Sequence, residues 1–323
     1  MAEKVLVTGG AGFIGHHLIE ALLRDTEYDV VSLDRLDVSG DLSRLQNVIE
    51  KNPQWKSRLQ IVWHDLKAPL NSMVRKRLGD VHYVLHLAAG SHVDRSIEFP
   101  LEFVMDNVVG TANLLEYARN HLKHCLKFFL NFSTDEVFGP APDGVFYKED
   151  DRYDSGNPYS ASKAGAEELC VAYANTYKMP IMITHTMNVF GHRQHPEKFI
   201  PLVIDKVNKG EEVTIHANAA CTEAGQRHYV HASDVADAVL FLIDNGTVRE
   251  KYNIVGEREV DNLELAQMIA SIMDKPLNYQ MVDFHSSRPG HDLRYALCGE
   301  KMKELGWQPT KNFEERLKEV VEW

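Results

Sequence analysis

The stretch "VLVTGGAGFIGHHL", Val5 to Leu18, decides the fold. A short apolar run that begins at Lys4 ends in Thr8. Glycines follow at 9, 10, 12 and 15, and apolar residues then return at helical spacing as Leu18, Ile19, Leu22 and Leu23. Strand, glycine turn and helix thus occupy fewer than 25 residues. Gly10, Gly12 and Gly15 give the GxGxxG spacing, and Gly9, Gly12 and Gly15 give GxxGxxG, so the register has two readings. Glycine is needed where the chain turns tightly, where a pyrophosphate must approach the backbone, and where the helix must pack closely on the strand.

Outward from that stretch the pattern repeats. "DVVSLD", "LQIVWH", "VHYVLHLA", "KFFLNFS" and "PIMITHTMN" read as strands separated by amphipathic helices, the longest running from about Pro158 to Lys178. Alternation of this kind implies an α/β protein with a Rossmann-type, doubly wound parallel sheet. Residues 1–188 read as a cofactor-binding domain. Residues 189–323 read mostly as a smaller substrate-binding lobe, with a segment near 226–256 returning to the first domain. Helices are expected near 198–209, 233–244, 262–274 and 312–322. Asp34 closes the second strand, where a carboxylate accepts hydrogen bonds from ribose hydroxyls and repels a 2′-phosphate, so NAD is the expected cofactor. Arg35 beside it is expected to be a solvated surface charge.

Composition narrows the partners. A chain of 323 residues with formal charge −12 disfavours nucleic acid and anionic membranes, both of which reward basic patches. No apolar run is long enough to cross a bilayer. The N-terminus enters a strand without a leader pattern, and a cytoplasmic protein is expected. Cys125, Cys170, Cys221 and Cys298 are scattered, and His192 and His195 form an HxxH pair without a third ligand. No metal is expected.

Chemistry concentrates in two motifs. "STDEVFG" places Ser133, Thr134, Asp135 and Glu136 at the end of the fifth strand, and "NPYSASK" places Tyr159 and Lys163 four apart on one helical face. A nearby ammonium and a positive nicotinamide favour phenolate, so Tyr159 is expected to remove a hydroxyl proton at a lowered pKa while Thr134 hydrogen-bonds the reacting oxygen. Asp65 in "HDL" reads as a contact to the adenine edge. "LHLAAGSHVDRS" puts Ala88, Ala89 and Gly90 where a flat cofactor needs small residues, with Ser91, His92, Asp94 and Arg95 clustered after them.

With "SHVDRSI", "PEKFIP", "YNIVGE" and "RPGHDLRYAL" added, the chain resembles the extended short-chain dehydrogenase/reductases, and within them the nucleotide-sugar 4,6-dehydratases, most of all those acting on dTDP-glucose. The resemblance implies oxidation at carbon 4 of an NDP-hexose, elimination of water across carbons 5 and 6, and reduction at carbon 6. It makes Glu136 the base and Asp135 the acid. It implies cofactor contacts from Phe13, Ile14, Leu66, Leu87, Ser91, Asp106, Tyr159, Lys163 and Asn188, and substrate contacts from Ser91, Val93, Arg95, Asn188, Lys198, Phe199, Arg227, Asn262, Arg288 and His291. It also implies a homodimer formed by helices near 100–120 and 158–178, using Leu114, Leu115, Leu169 and Tyr173. Gly90 stands where the family carries glutamate, and "RHYV" where it reads Arg-Asp-Trp. A 4-epimerase that leaves both acids idle, or a non-catalytic NAD sensor, is the alternative.

Overall fold

The computed structural model describes residues 2–37, 39–283 and 293–323. Strands β1 (Lys4–Thr8), β2 (Asp29–Asp34), β3 (Leu59–Trp63), β4 (Tyr83–His86), β5 (Phe128–Thr134), β6 (Ile181–Thr186) and β10 (Lys251–Ile254) form one sheet in the order β10-β6-β5-β4-β1-β2-β3. Every pairing in it is parallel. The order reverses direction between β1 and β4, the place where open parallel sheets leave a crevice beyond their carboxyl ends. All of β5 is buried, because helices cover both faces of a parallel sheet. One apolar cluster beneath the sheet includes Val5, Leu22 and Leu130, and a second on the other face includes Leu6, Phe129 and Ile183.

Local chemistry explains the key elements. The Phe13–Asp25 helix starts directly at Gly12 without a side-chain cap, leaving its first N–H groups free. The Pro158–Tyr177 helix is specified on the page of its own sequence. Asn157 and Ser160 form a capping box, Pro158 takes the first turn, and Lys178 ends it in the left-handed region at φ 57°. A π-helical segment, Val104–Val109, interrupts the helical run between Pro100 and His121.

Three further strands, β7 (Asn188–Phe190), β9 (Gln226–His231) and β11 (Glu259–Asp261), form a small sheet, and β8 (Val213–Ala217) pairs with β12 (Tyr279–Asp283). Their side chains join those of the Phe199–Lys209, Asn262–Ile272 and Phe313–Glu322 helices in a separate apolar cluster centred on Val203, Leu265 and Leu317. The Ala232–Asn245 helix instead packs its Val235 and Val239 into the cluster beneath the main sheet.

Two expectations need correction here. Leu114 and Leu115 are fully buried inside the chain's own core, where the Gly110–His121 helix meets the sheet, so they are not available to a second copy. Exposed apolar side chains in these regions are Leu101, Val104, Met105 and Tyr177. Arg35 is not a free surface charge either. It forms a two-pronged pair with Asp106, at 2.5 and 2.8 Å, and a third bond to Asp37 at 2.6 Å.

Candidate functional site

A cavity of about 740 Å³ opens over the carboxyl ends of the sheet strands. Gly9, Gly12 and Gly15 line it, which selects the second of the two glycine registers. Gly10 faces away: a Cβ there would strike Ser32 Oγ at 2.4 Å. At Gly15 a Cβ would lie 2.1 Å from the Gly9 carbonyl oxygen, and Gly9 itself, at φ 70°, presses its backbone against Ala88. These clashes and the uncapped helix start leave a cradle of bare backbone, the surface a pyrophosphate requires. Asp34 sits at the rim with Oδ2 accepting from Ala11 N at 3.1 Å and Oδ1 from Leu36 N at 2.8 Å. Burial raises its pKa, and those backbone bonds work against the rise. The residues present therefore fit a dinucleotide, with Asp34, Asp37, Asp65 and Asp106 clustered around Arg35.

The small residues of the fourth strand are held by two polar devices. Thr8 Oγ1 bonds His86 at 2.7 Å and receives Ala88 N at 3.2 Å, fixing the strand end against the glycine turn. Asn107 accepts from Gly90 N at 2.8 Å and donates to Gly90 O at 3.0 Å and Ser162 Oγ at 2.8 Å. A side chain at Gly90 would be tight, since a Cβ would meet the Phe103 ring at 3.2 Å and Asp106 Oδ2 at 3.3 Å, and both would have to shift by a few tenths of an ångström.

Deeper in the same cavity lie Thr134, Asp135, Glu136, Tyr159 and Lys163. Thr134 Oγ1 donates to Asp135 Oδ1 at 3.0 Å, and Asn157 Nδ2 donates to Glu136 Oε2 at 3.2 Å. Asp135 Oδ2 is buried with no hydrogen-bond partner among the described residues. Burial raises Asp135 to about 6; burial and then repulsion from Asp135 raise Glu136 to about 7. Near neutral pH such a pair shares close to one proton and titrates as a unit.

Tyr159 also departs from expectation. Its pKa is raised, first by burial and then by Glu136, rather than lowered. Lys163 spends a hydrogen bond on Phe132 O at 2.6 Å, and burial lowers it to about 8. The shared helical face does bring both residues to the cavity, but burial and two neighbouring carboxyls outweigh the one lowering influence on the phenol, its hydrogen bond with Thr134. The positive charge of a bound ligand is needed to reverse that sign.

Family membership can be read at this point. The family described as GDP-mannose 4,6 dehydratase matches residues 6–320. The chain belongs to that family. It is 37% identical to a dTDP-glucose 4,6-dehydratase of Haemophilus influenzae, over 99% of this chain and 97% of the relative. The crystal structure of DesIV, a dTDP-glucose 4,6-dehydratase from Streptomyces venezuelae with NAD and TYD bound, superposes with a TM-score of 0.88 at 33% identity, covering 99% of this chain and 96% of that one. A UDP-glucuronic acid 4-epimerase from Bacillus cereus, in complex with UDP-glucuronic acid and NAD, superposes at 0.87 with 27% identity, covering 99% and 98%.

All the residues expected to touch cofactor line the cavity, including Phe13, Ile14, Asp65, Leu66, Leu87, Ala89, Ser91, Asp106 and Asn188. On the substrate side Arg95, Lys198 and Phe199 line it as well, whereas Val93, Arg227 and Asn262 do not. Arg227 donates to the carbonyls of Gln226 and Leu293 at 2.7 and 2.6 Å and lies over the Tyr295 ring, yet its charge still lowers Asp135 and Glu136. Asn262 accepts from Tyr229 OH at 2.9 Å, and it is Tyr229 that reaches the cavity. Arg288 and His291 lie outside the described residues.

Sequence reasoning missed Tyr229, Asn107 and Arg44. Tyr229 occupies the place of the family's Trp in "RHYV", a signal available in the motif. Arg44 is buried, donating to the carbonyls of Ala11 and Ser39 beside the glycine turn, and no spacing rule announces it. The HxxH pair is otherwise engaged: His192 Nε2 meets Glu319 O at 3.1 Å, and His195 faces Glu197 at 3.6 Å. Asp80, His124 and Cys125 place donor atoms within 4.8 Å of one another at the opposite end of the sheet, remote from this chemistry.

Proposed function

We propose that this chain is an NAD-dependent nucleotide-sugar 4,6-dehydratase acting on a nucleoside diphosphate hexose. The observation that carries the reading is the pairing of buried Asp135 with half-buried Glu136 at the end of β5, in one cavity with Tyr159 and Lys163. An epimerase needs the tyrosine and the cofactor. It has no use for two adjacent carboxyls that share a proton.

Gly9, Gly12 and Gly15 would hold the pyrophosphate, Asp34 the adenosine ribose, and Ala88 and Ala89 the wall behind the rings. NAD, when bound, supplies the site that takes the hydrogen from carbon 4 and returns it to carbon 6. Tyr159 accepts the 4-hydroxyl proton, with Thr134 Oγ1 bonded to the same oxygen. The resulting carbonyl acidifies carbon 5, and Glu136 takes that proton. Asp135 delivers a proton to the departing 6-hydroxyl from Oδ2, which has no partner among the described residues, and the proton held by Glu136 goes back to carbon 5 as carbon 6 is reduced. Lys198 and Arg227 supply positive charge for the diphosphate. Residues 1–188 with 226–256 form the cofactor-binding part in this reading, and the remainder closes over the hexose.

The relatives named for dTDP-glucose make that sugar nucleotide the first substrate to try. Incubation with dTDP-glucose and UDP-glucose, followed by mass analysis, should show loss of one water. Isomerisation without a mass change would replace this reading with the epimerase, and no turnover would favour a sensor. We also propose a homodimer closed by the exposed Leu101, Val104, Met105 and Tyr177, and light scattering at micromolar concentration decides between dimer and monomer.

A further inference from the structure

Behind the two acids lies a buried polar cluster that the chemistry above does not use. Glu167 sits one turn past Lys163 on the Pro158–Tyr177 helix and is fully buried. It takes hydrogen bonds from His185 Nε2, 3.1 Å from each carboxylate oxygen, from Lys251 Nζ at 3.1 Å, and from the Tyr153 hydroxyl. Lys251 Nζ also donates to the Tyr153 oxygen at 2.7 Å.

Hydrogen-bond valence fixes the roles in this cluster. Asn253 Nδ2 faces two carbonyls, Tyr147 O and Cys298 O, each at 3.1 Å, and carbonyls only accept. Its Oδ1 therefore faces His185 Nδ1, at 2.9 Å, and that nitrogen must donate. The other ring nitrogen faces a carboxylate. Lys251 supplies the cation beside Glu167. These partners hold Glu167 below the usual carboxylate range although burial opposes it. An anchor of this kind is stiff, because Glu167, His185 and Asn253 are fully buried and each is hydrogen-bonded.

What the anchor holds is the loop carrying Tyr153. That loop grips the acid turn at four successive residues. Asn157 Nδ2 donates to Glu136 at 3.2 Å; Asp154 N and Ser155 Oγ donate to Val137 O at 3.0 and 3.4 Å. The Tyr153 ring meets Phe138 edge-on at 5.2 Å, and Phe138 in turn meets His185 at 4.8 Å. At Gly139, with φ 76°, a Cβ would lie 2.2 Å from Asp154 O.

We propose that Tyr153, tied to Glu167 through its hydroxyl, is a positioning residue that aims Glu136 at carbon 5. This rests on the dehydratase reading. Tyr153→Phe keeps the ring against Phe138 and removes only the tether, so the chain should fold, bind NAD as before and retain its KM. Elimination should slow about 10- to 100-fold, the scale expected when a catalytic group is misplaced by about an ångström. Oxidation at carbon 4 should keep its rate, so reduced nicotinamide should build up during turnover. A purely structural role would lower the melting temperature without changing this partition.

The measurement is turnover of dTDP-glucose by parent and Tyr153→Phe, with nicotinamide absorbance and product mass followed together. Glu167→Gln serves as a second variant and should shift the partition the same way. Parental partition in Tyr153→Phe, or equal slowing of oxidation and elimination, overturns the proposal and leaves the dehydratase reading intact. A parent that epimerises without losing water overturns both.

Discussion

The two halves of the cavity work by different physics. The half over the ends of β1, β2 and β4 is shaped by backbone: Gly9 and Gly15 exclude side chains, and Asp34 and Arg35 are already tied by hydrogen bonds and ion pairs. At the end of β5 the other half is built from buried ionisable groups whose proton affinities are displaced, with Asp135 and Glu136 raised and Lys163 lowered. Shape binds and charge reacts. Changes in the first half should therefore act on affinity, and changes in the second on the rates of separate steps.

The sharpest attempt to break this division targets the acids. Glu136→Gln preserves shape and removes the base, so dehydration should fall about 100- to 10,000-fold while reduced nicotinamide accumulates. Tyr159→Phe should fall as far without any reduced nicotinamide. Absorbance and product mass separate the two variants, and parental dehydration by Glu136→Gln would sink the role given to it. On the binding side Gly15→Ala puts a methyl group against the Gly9 carbonyl. Overpacking of that kind costs about 1–3 kcal/mol, so calorimetry should show NAD bound about 10- to 100-fold more weakly.

Proton linkage gives a third, smaller effect. The folded chain holds its acid pair at about 6 and about 7, above ordinary carboxylates near 3.8 and 4.5. Folded protein therefore binds more protons than unfolded between those limits, and the pair subtracts stability as pH rises through that window. The double variant Asp135→Asn, Glu136→Gln should gain stability relative to the parent as pH rises through that window, with the difference vanishing in acid. Urea titrations at both ends of the range test the sign. The smallest effect belongs to the rim, where Asp106→Asn releases one partner of Arg35. Affinity for NADP should rise about two- to fivefold, the scale of a partly exposed ion pair, with little change for NAD.

How much of this was legible follows the same division. Shape announces itself in sequence, because only glycine can stand at 9 and 15, and the strand–glycine–helix pattern fixed the cofactor half with its residues. The choice between the two glycine registers was not legible, since Gly10 faces Ser32 on a neighbouring strand and Ile19 on the following helix, a tertiary arrangement. The acids and Tyr159 could be placed from motif spacing, but their protonation could not. Depth of burial is a tertiary property, and it raised Tyr159 where the pairing with Lys163 had suggested a fall. Least legible was the substrate side. Asn262 and Arg227 stand back from the cavity, and Tyr229, hydrogen-bonded to Asn262, reaches it instead.

β10 has a consequence for how the molecule is made. It pairs with β6 at the edge of the main sheet, Lys251 beside Ile183 through Ile254 beside Thr186. Between the two strands in the chain stand β7, β8, β9 and two long helices. The sheet thus waits for residue 254 while β6 presents an open edge, an arrangement of long-range contacts that slows folding and exposes a template for wrong pairing. During synthesis, roughly the first four-fifths of the chain must emerge before that edge can be sealed. Lys251 arrives with the same strand, so the anchor at Glu167 is completed in the step that closes the sheet.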